Sequence, residues 1–461
     1  MATSGGAMPR PEDGYDERKR PMTDSGERKT WRTMGWGPWD DEGLPSEPLD
    51  DQTREQRELP RTLVSVGDPG VRQRPVFDPA LKQYGSAMRA GEPQFASPGV
   101  AERWHTARRR AVDHVLATVA ESPWAAHLVL RGSMLLRAWY GPAAREPGDL
   151  DFVVVPATWE LVEPRTDRMF ADIARDADAR SRAAGGVRID AAGAVDDEIW
   201  TYDRVPGRRL VLPWRADGLP SGIVQLDFVF NESLPSAAEY TDVPRGDGSG
   251  AHRILAATAE QSLAWKLLWL LSDSYPQGKD LYDAVLLAES TPLRAELLHR
   301  TLVAGEPHWA GRRISAGTFV DQDADWDEFV KEYPDVHGAA EEFMGRLLSA
   351  LEPVFAEESA GPAVDGYAWR LRWLAQLLPE ARREAARAGM PALVAWLKGR
   401  ALGLAESIVI IREVVGPEQC TPEQAADAYV AQLPYTSGEL GYYTRNPGVI
   451  GDALAALRDQ V

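Results

Sequence analysis

Residues 127–155 constrain the fold more than any other stretch of the chain. Leu128, Val129 and Leu130 run without a linker into Arg131, Gly132 and Ser133, and helical spacing resumes at once from Met134 to Tyr140. This leaves room only for a tight turn between a strand and a helix. Glycine in such a turn lets the backbone approach a ligand closely. The free amides that begin the following helix favour an anion such as phosphate. After Gly141 and Pro142, a loop leads to Gly148, Asp149, Leu150 and Asp151, and then to the apolar run Phe152, Val153, Val154, Val155. This run predicts a buried strand with two acids at its start. Residues two apart on a strand share a face, so Asp149 and Asp151 project together. Two hard oxygen ligands on one face suit Mg²⁺ when phosphate oxygens complete its shell.

A second acid-bearing strand is expected at residues 223–230, with Gln225, Asp227 and Val229 on one face. A carboxylate beside Phe228 and Val229 is costly unless it is paired or bound to metal. An ion pair with one of the arginines is therefore the alternative to a metal role for Asp227. Three strand carboxylates can hold two metals that clamp the attacking and leaving oxygens of an in-line displacement.

Around this unit, Ser97 and Pro98 open a helix whose apolar spacing continues to Ala120. Residues 157–184 read as a helix, and residues 186–215 as two or three strands about a turn at Gly207. Residues 256–271 and 279–289 read as helices, and residues 79–96 as a short helix leading into the fold. Stretches rich in Ala, Leu, Arg and Glu at 340–360, 366–389, 391–415 and 421–432 predict a helical region, and prolines break or kink the first two. The expected layout is a poorly ordered polar tail at 1–78, a mixed α/β unit at 79–290 and a helical domain at 291–461. The tail is rich in Pro, Gly and charge. Its Trp31, Trp36 and Trp39 either dock on the body or a partner, or form an accidental cluster.

Composition removes several function classes. Lys and Arg number 51 against 70 Asp and Glu, a net charge of −19 that argues against general, unspecific nucleic-acid binding. The adjacent Arg108, Arg109 and Arg110 leave a local basic groove open, beside the plainer reading of a solvated helix face. A single cysteine, Cys420, excludes a disulfide framework and a multi-cysteine zinc site. The histidines lack H-E-x-x-H spacing, Ser133 lacks a G-x-S-x-G setting, and no P-loop is present. The acidic run at 321–328 lacks the central glycine and closing glutamate of a calcium loop and reads as a solvated face. Trp369 and Trp373 share a helix face and read as packing. No apolar run is long enough to span a bilayer, and no basic-then-apolar leader opens the chain. A soluble, cytoplasmic protein with no membrane partner is expected.

The order Gly-Ser, then D-x-D, then a third strand Asp resembles the DNA-polymerase-β-like nucleotidyltransferases, and within them the AbiEii-type toxins. The likeness rests on LVLRGSMLLRAWYG at 128–141, Arg145 four residues before Asp149, DLDFVVV at 149–155, EQSLAWKLLWLL at 260–271 and KDLYDAV at 279–285. Pro147 stands where the family has a serine before D-x-D. The resemblance covers residues 97–290 and implies an α+β fold, a small mixed sheet with helices, followed by a mostly helical C-terminal region. It implies that Gly132 and Ser133 hold the NTP, that Asp149 and Asp151, with Asp227, bind Mg²⁺, and that Lys266 neutralises phosphate charge. Asp280 would sit near the nucleotide or the attacking hydroxyl, with Asp283 beyond it. Arg137 and Arg145 contact phosphate or pair with nearby acids.

The implied activity is transfer of NMP from an NTP to an acceptor hydroxyl. An RNA or tRNA end is the first choice of acceptor, and the implied setting is a toxin or phage-defence role with a cognate antitoxin or regulatory partner. Protein nucleotidylation, oligonucleotide-signal synthesis and a non-catalytic NTP-binding regulator are the alternatives.

Overall fold

The structure is a computed structural model that describes residues 30–34, 43–201, 205–320, 322–360, 366–434 and 437–458. Two small hairpin-like pairs come first: β1 (Val71–Arg72) with β4 (Gln94–Phe95), and β2 (Pro75–Phe77) with β3 (Met88–Ala90). The central sheet contains β5 (Leu128–Arg131), β6 (Leu150–Val154), β7 (Val187–Ile189), β8 (Val195–Thr201), β9 (Val205–Ala216), β10 (Gly222–Val229), β11 (Glu239–Pro244) and β12 (Ala251–Ala256). Its order is β11-β12-β5-β6-β10-β9-β7, with β8 also paired to β9. The β6–β10 and β5–β12 pairs are parallel and the others antiparallel. The first six helices are α1 (Asp51–Gln56), α2 (Pro98–Glu121), α3 (Ser133–Tyr140), α4 (Pro164–Ala184), α5 (Ala259–Ser272) and α6 (Gly278–Ala288), of which α2, α3 and α4 pack on the central strands.

Alternation along the central strands separates packing from chemistry. Phe152 and Phe228 stack at 5.6 Å, and Phe170 of α4 meets Phe228 at 4.8 Å, so one face of β6 and β10 is closed by apolar packing. Asp151 and Asp227 occupy the intervening positions and project to the opposite face. The parallel register places them side by side. The antiparallel neighbours place Arg131 opposite Asp151 and Arg209 opposite Asp227.

Beyond α6 the described residues are helical, and among them no strand follows Ala256. The breaks expected at prolines are present. Leu351 separates Ala340–Ala350 from Glu352–Ala360, and Leu378–Gly399 carries Pro379 in its first turn. The backbone leaves helical geometry at Ala388 and Gly389, just before Pro391. Trp369 and Trp373 are buried edge to face at 5.5 Å against His299, as packing. One hydrophobic core runs from Val66 through the sheet to Leu457. No helix of the described residues is long and apolar enough to cross a membrane.

Several local expectations differ from what the fold shows. Gly207 lies inside β9, paired with Val229 and Ile199, rather than at a turn. A Cβ there would come within 2.8 Å of the Phe228 carbonyl and 2.9 Å of the Ile199 side chain, so glycine allows three strands to close up. Residues 79–96 form a 3₁₀ turn (Pro79–Leu81) followed by β3 and β4 instead of a helix. Residues 43–78, expected to be loose, carry α1, β1 and β2 and are held by tertiary contacts. Thr62 donates to the Asp197 carboxylate through its amide and its hydroxyl, both at 2.7 Å, and Tyr84 donates to the other oxygen at 2.7 Å. Trp31 is docked: it is 3% exposed, packs with Met34, Leu59, Leu63 and Met88, and its Nε1 donates to the Glu47 carbonyl at 2.8 Å. Trp36 and Trp39 lie outside the described residues. A segment with few aliphatic residues and no period gives no local sign of structure when its partners are on distant strands.

Candidate functional site

The carboxylates of Asp149, Asp151 and Asp227 converge, with one oxygen from each within 4.8 Å of the others. Asp149 and Asp151 are half-buried and Asp227 is buried. Burial, with the charges of Asp149 and Asp227, pushes the Asp151 carboxyl up to about 7. Burial also raises Asp227, and Arg209 opposes that rise without cancelling it. Three carboxylates so close repel one another, and a divalent cation held among hard oxygen donors would relieve that repulsion. The donor set fits Mg²⁺.

The Gly-Ser turn lies against this trio. Gly132 has φ +78°, and a Cβ on it would collide with the Asp151 carboxylate. Backbone conformation and space therefore both require glycine. Ser133 is the first residue of α3 and is 2% exposed, and its hydroxyl has no hydrogen-bond partner. A buried, unpaired hydroxyl among the free amides of a helix start is suited to receive an anion. Substituting Gly132 with alanine is expected to displace Asp151 and to cost about 1–3 kcal/mol of stability. Thermal unfolding read alongside nucleotide binding checks this, and a variant with native stability and binding would refute it.

Lys266 sits on α5, a helix capped by Thr258 and buried at nearly every position from Gln261 to Leu270. A lysine there needs partners, and Nζ has two: Asp280 at 2.7 Å and Asp283 at 2.9 Å. Burial pulls the lysine pKa down, but the two carboxylates outweigh it and the net shift is upward. The buried ion pairs rule out a snorkelling lysine. Arg145 completes the network, donating to Asp283 at 3.2 and 3.0 Å and to the Tyr333 hydroxyl at 3.2 Å. Arg137 pairs with Glu146 at 3.6 Å and donates to the carbonyls of Gly141 and Ala144 at 2.9 and 3.1 Å, which makes it a brace for the turn after α3.

Asp227 belongs to the acidic trio and also forms an ion pair, the alternative that its sequence setting offered. Arg209 donates to both of its oxygens at 2.8 Å and to Asp78 at 2.6 Å. Arg209 and Asp78 escaped the sequence reading because a cross-strand partner is legible only once register is known. Arg131 also escaped: its guanidinium pairs with Glu232 and lies 5.3 and 5.1 Å from the rings of Trp265 and Trp269. Lys279 escaped too, although it directly precedes Asp280. A cavity of about 90 Å³ joins Gly132, Ser133, the three aspartates, Lys266 and Asp280 in one cleft. Six cations (Arg89, Arg131, Arg145, Arg209, Lys266, Lys279) and six aspartates line it, so the cleft is charge-balanced in a chain of net charge −19. Lys279 makes no ion pair within 4.0 Å among the described residues.

A mixed sheet that presents strand carboxylates beside a Gly-Ser helix start, faced by a buried lysine, is the framework of a nucleotidyltransferase. The family profile described as "Nucleotidyl transferase AbiEii toxin, Type IV TA system" matches residues 114–374, more than half of the chain, and the protein belongs to that family. Among solved structures, one match is MenT4, a nucleotidyltransferase toxin from Mycobacterium tuberculosis H37Rv, with 18% identity and a TM-score of 0.40. That match covers 63% of this chain and 93% of the other. No curated protein matches the sequence.

Proposed function

We propose that the protein transfers a nucleoside monophosphate from an NTP to an acceptor hydroxyl, with an RNA 3′ end as the favoured acceptor. The toxin family further suggests a growth-arresting or phage-defence role restrained by a cognate antitoxin. The observation that carries the reading is the unpaired, buried Ser133 hydroxyl at a helix start in the same cleft as three convergent carboxylates. In this reading Ser133, the Gly132 backbone and the first amides of α3 hold phosphate oxygens. Lys266, oriented by Asp280 and Asp283, sets a fixed positive charge beside them. Asp149, Asp151 and Asp227 would hold Mg²⁺, which when bound supplies charge neutralisation at the reacting phosphate. Arg209 fixes the Asp227 carboxylate by its bidentate contact, so that this acid enters the site in one orientation.

The test is label transfer from each α-³²P-labelled NTP with Mg²⁺, alone and with total bacterial RNA. Label on RNA is the expected result. Label on protein or in short oligonucleotides would keep the chemistry and replace the acceptor. NTP binding without any transfer would overturn the transferase reading in favour of a regulator.

A further inference from the structure

A second chamber of about 280 Å³ adjoins the carboxylate cleft and shares five lining residues with it: Arg89, Arg145, Asp149, Gln225 and Lys279. We propose that this chamber receives the nucleoside of the NTP, and that residues 64–66 and 89–93 set which nucleoside it accepts. The proposal rests on the reading of the cleft as an NTP site.

Placement of the phosphate-binding groups gives the direction. Gly132, Ser133, Lys266 and Asp280 line the carboxylate cleft and not the second chamber, whereas Asp149 and Lys279 line both. A triphosphate anchored at the Gly-Ser turn with its α-phosphate at the aspartates therefore sends its nucleoside past Asp149 into the chamber. Lys279 stands at that junction with no ion pair among the described residues.

The chamber suits a flat ring with polar edges. Val64, Val66, Trp104, Trp214 and Ile223 give apolar walls, and Ser65 and the Gln225 amide give polar points. Trp214 Nε1 is a buried donor with no partner. A Cβ on Gly222 would collide with that indole, so glycine is what seats the ring in the wall. The volume sits just below the about 300–1,000 Å³ typical of small-molecule sites, enough for one nucleoside and too little for a base-paired stem.

The outer wall is built rather than draped. The Gln73 side chain accepts from the Val66 amide at 2.7 Å and donates to the Gly91 carbonyl at 2.9 Å, tying residues 64–66 to 89–93. Arg108 pairs with Glu92 at 2.8 Å and donates to the Gly148 carbonyl at 2.9 Å, tying that wall to the loop before Asp149. All of these outer-wall residues except Gly148 precede the family match at 114–374, whereas Trp214, Gly222, Ile223 and Gln225 of the facing wall lie within it.

The experiment is calorimetric titration of the full chain with α,β-methylene analogues of the four NTPs and with inorganic tripolyphosphate, all with Mg²⁺. The wild type is expected to bind at least one NTP analogue about tenfold or more tighter than tripolyphosphate. Ser65→Trp and Ile223→Trp, which fill the chamber from two of its lining segments, are expected to remove that preference while tripolyphosphate affinity stays within about twofold. Melting temperatures identify a variant that fails to fold. Equal affinity of the wild type for tripolyphosphate and every NTP analogue overturns the proposal and leaves the cleft as a phosphate site. Folded variants that keep the wild-type preference also overturn it. Absence of binding by the wild type overturns the NTP reading itself.

Discussion

Replacing Asp149 and Asp151 together with alanine should lower label transfer by at least about 10³-fold, about 4 kcal/mol of transition-state stabilisation. Both side chains are half-buried at the cleft wall rather than in the core, so the fold is expected to survive. Mg²⁺ should raise the melting temperature of the wild type and leave that of the double variant unchanged. Transfer persisting within tenfold of wild type would remove these aspartates from the reaction.

The same acids make stability depend on pH in a direction the structure dictates. Asp151 is pushed from an ordinary 3.8 up to about 7 by burial and by Asp149 and Asp227. An acid whose folded pKa exceeds its unfolded value binds its proton more tightly when folded. The contribution of Asp151 to stability is therefore largest below about 4 and falls as pH rises to about 7. A full three-unit shift corresponds to about 4 kcal/mol. Access of water to this half-buried group reduces the expected effect to about 1–2 kcal/mol. Asp151→Asn in chelator should thus match wild type near pH 4 and exceed it above pH 7. An equal stability difference at pH 4.5 and pH 8 would rule this out.

The second large effect is expected at Asp283. Its side chain is 1% exposed and bridges Arg145 and Lys266, and those two cations hold its carboxyl below the ordinary range against the opposing effect of burial. Asp283→Ala leaves two buried cations short of a partner, a loss of about 3–5 kcal/mol. Denaturant unfolding should show the midpoint falling at unchanged slope, and Asp283→Asn should lose less. A loss under about 1 kcal/mol would mean that Asp280 and the surrounding water compensate. Because Lys266 loses one of its two anchors, transfer should fall even at temperatures where the variant is folded.

The chemistry was legible wherever residues close in the chain stay close in space. Gly132 and Ser133, Asp149 and Asp151, and Asp280 and Asp283 are each separated by three residues or fewer, so strand alternation or a helix start is enough to place each pair. The same holds for Pro379 and Pro391, whose missing amide acts on their own turn. Asp227 and Lys266 were legible for another reason: a carboxylate or ammonium inside an apolar run needs a partner, whatever the fold.

What tertiary structure decided is which partner each of these groups received. Arg209 faces Asp227 through the β9–β10 register, and a one-residue slip would have turned it to the other face of the sheet. Asp78 reaches Arg209 across 131 positions, and Arg145 reaches Asp283 across 138. The ordered segment at 43–78 and the wall around Gln73 also rest on distant contacts, because their own residues are too polar to signal burial. The sequence by itself determined the Gly-Ser turn, the acid pair and the helical C-terminal region, since local geometry enforces them. The closing of the cleft, its charge balance and the chamber beside it came only from long-range packing, which no periodicity encodes.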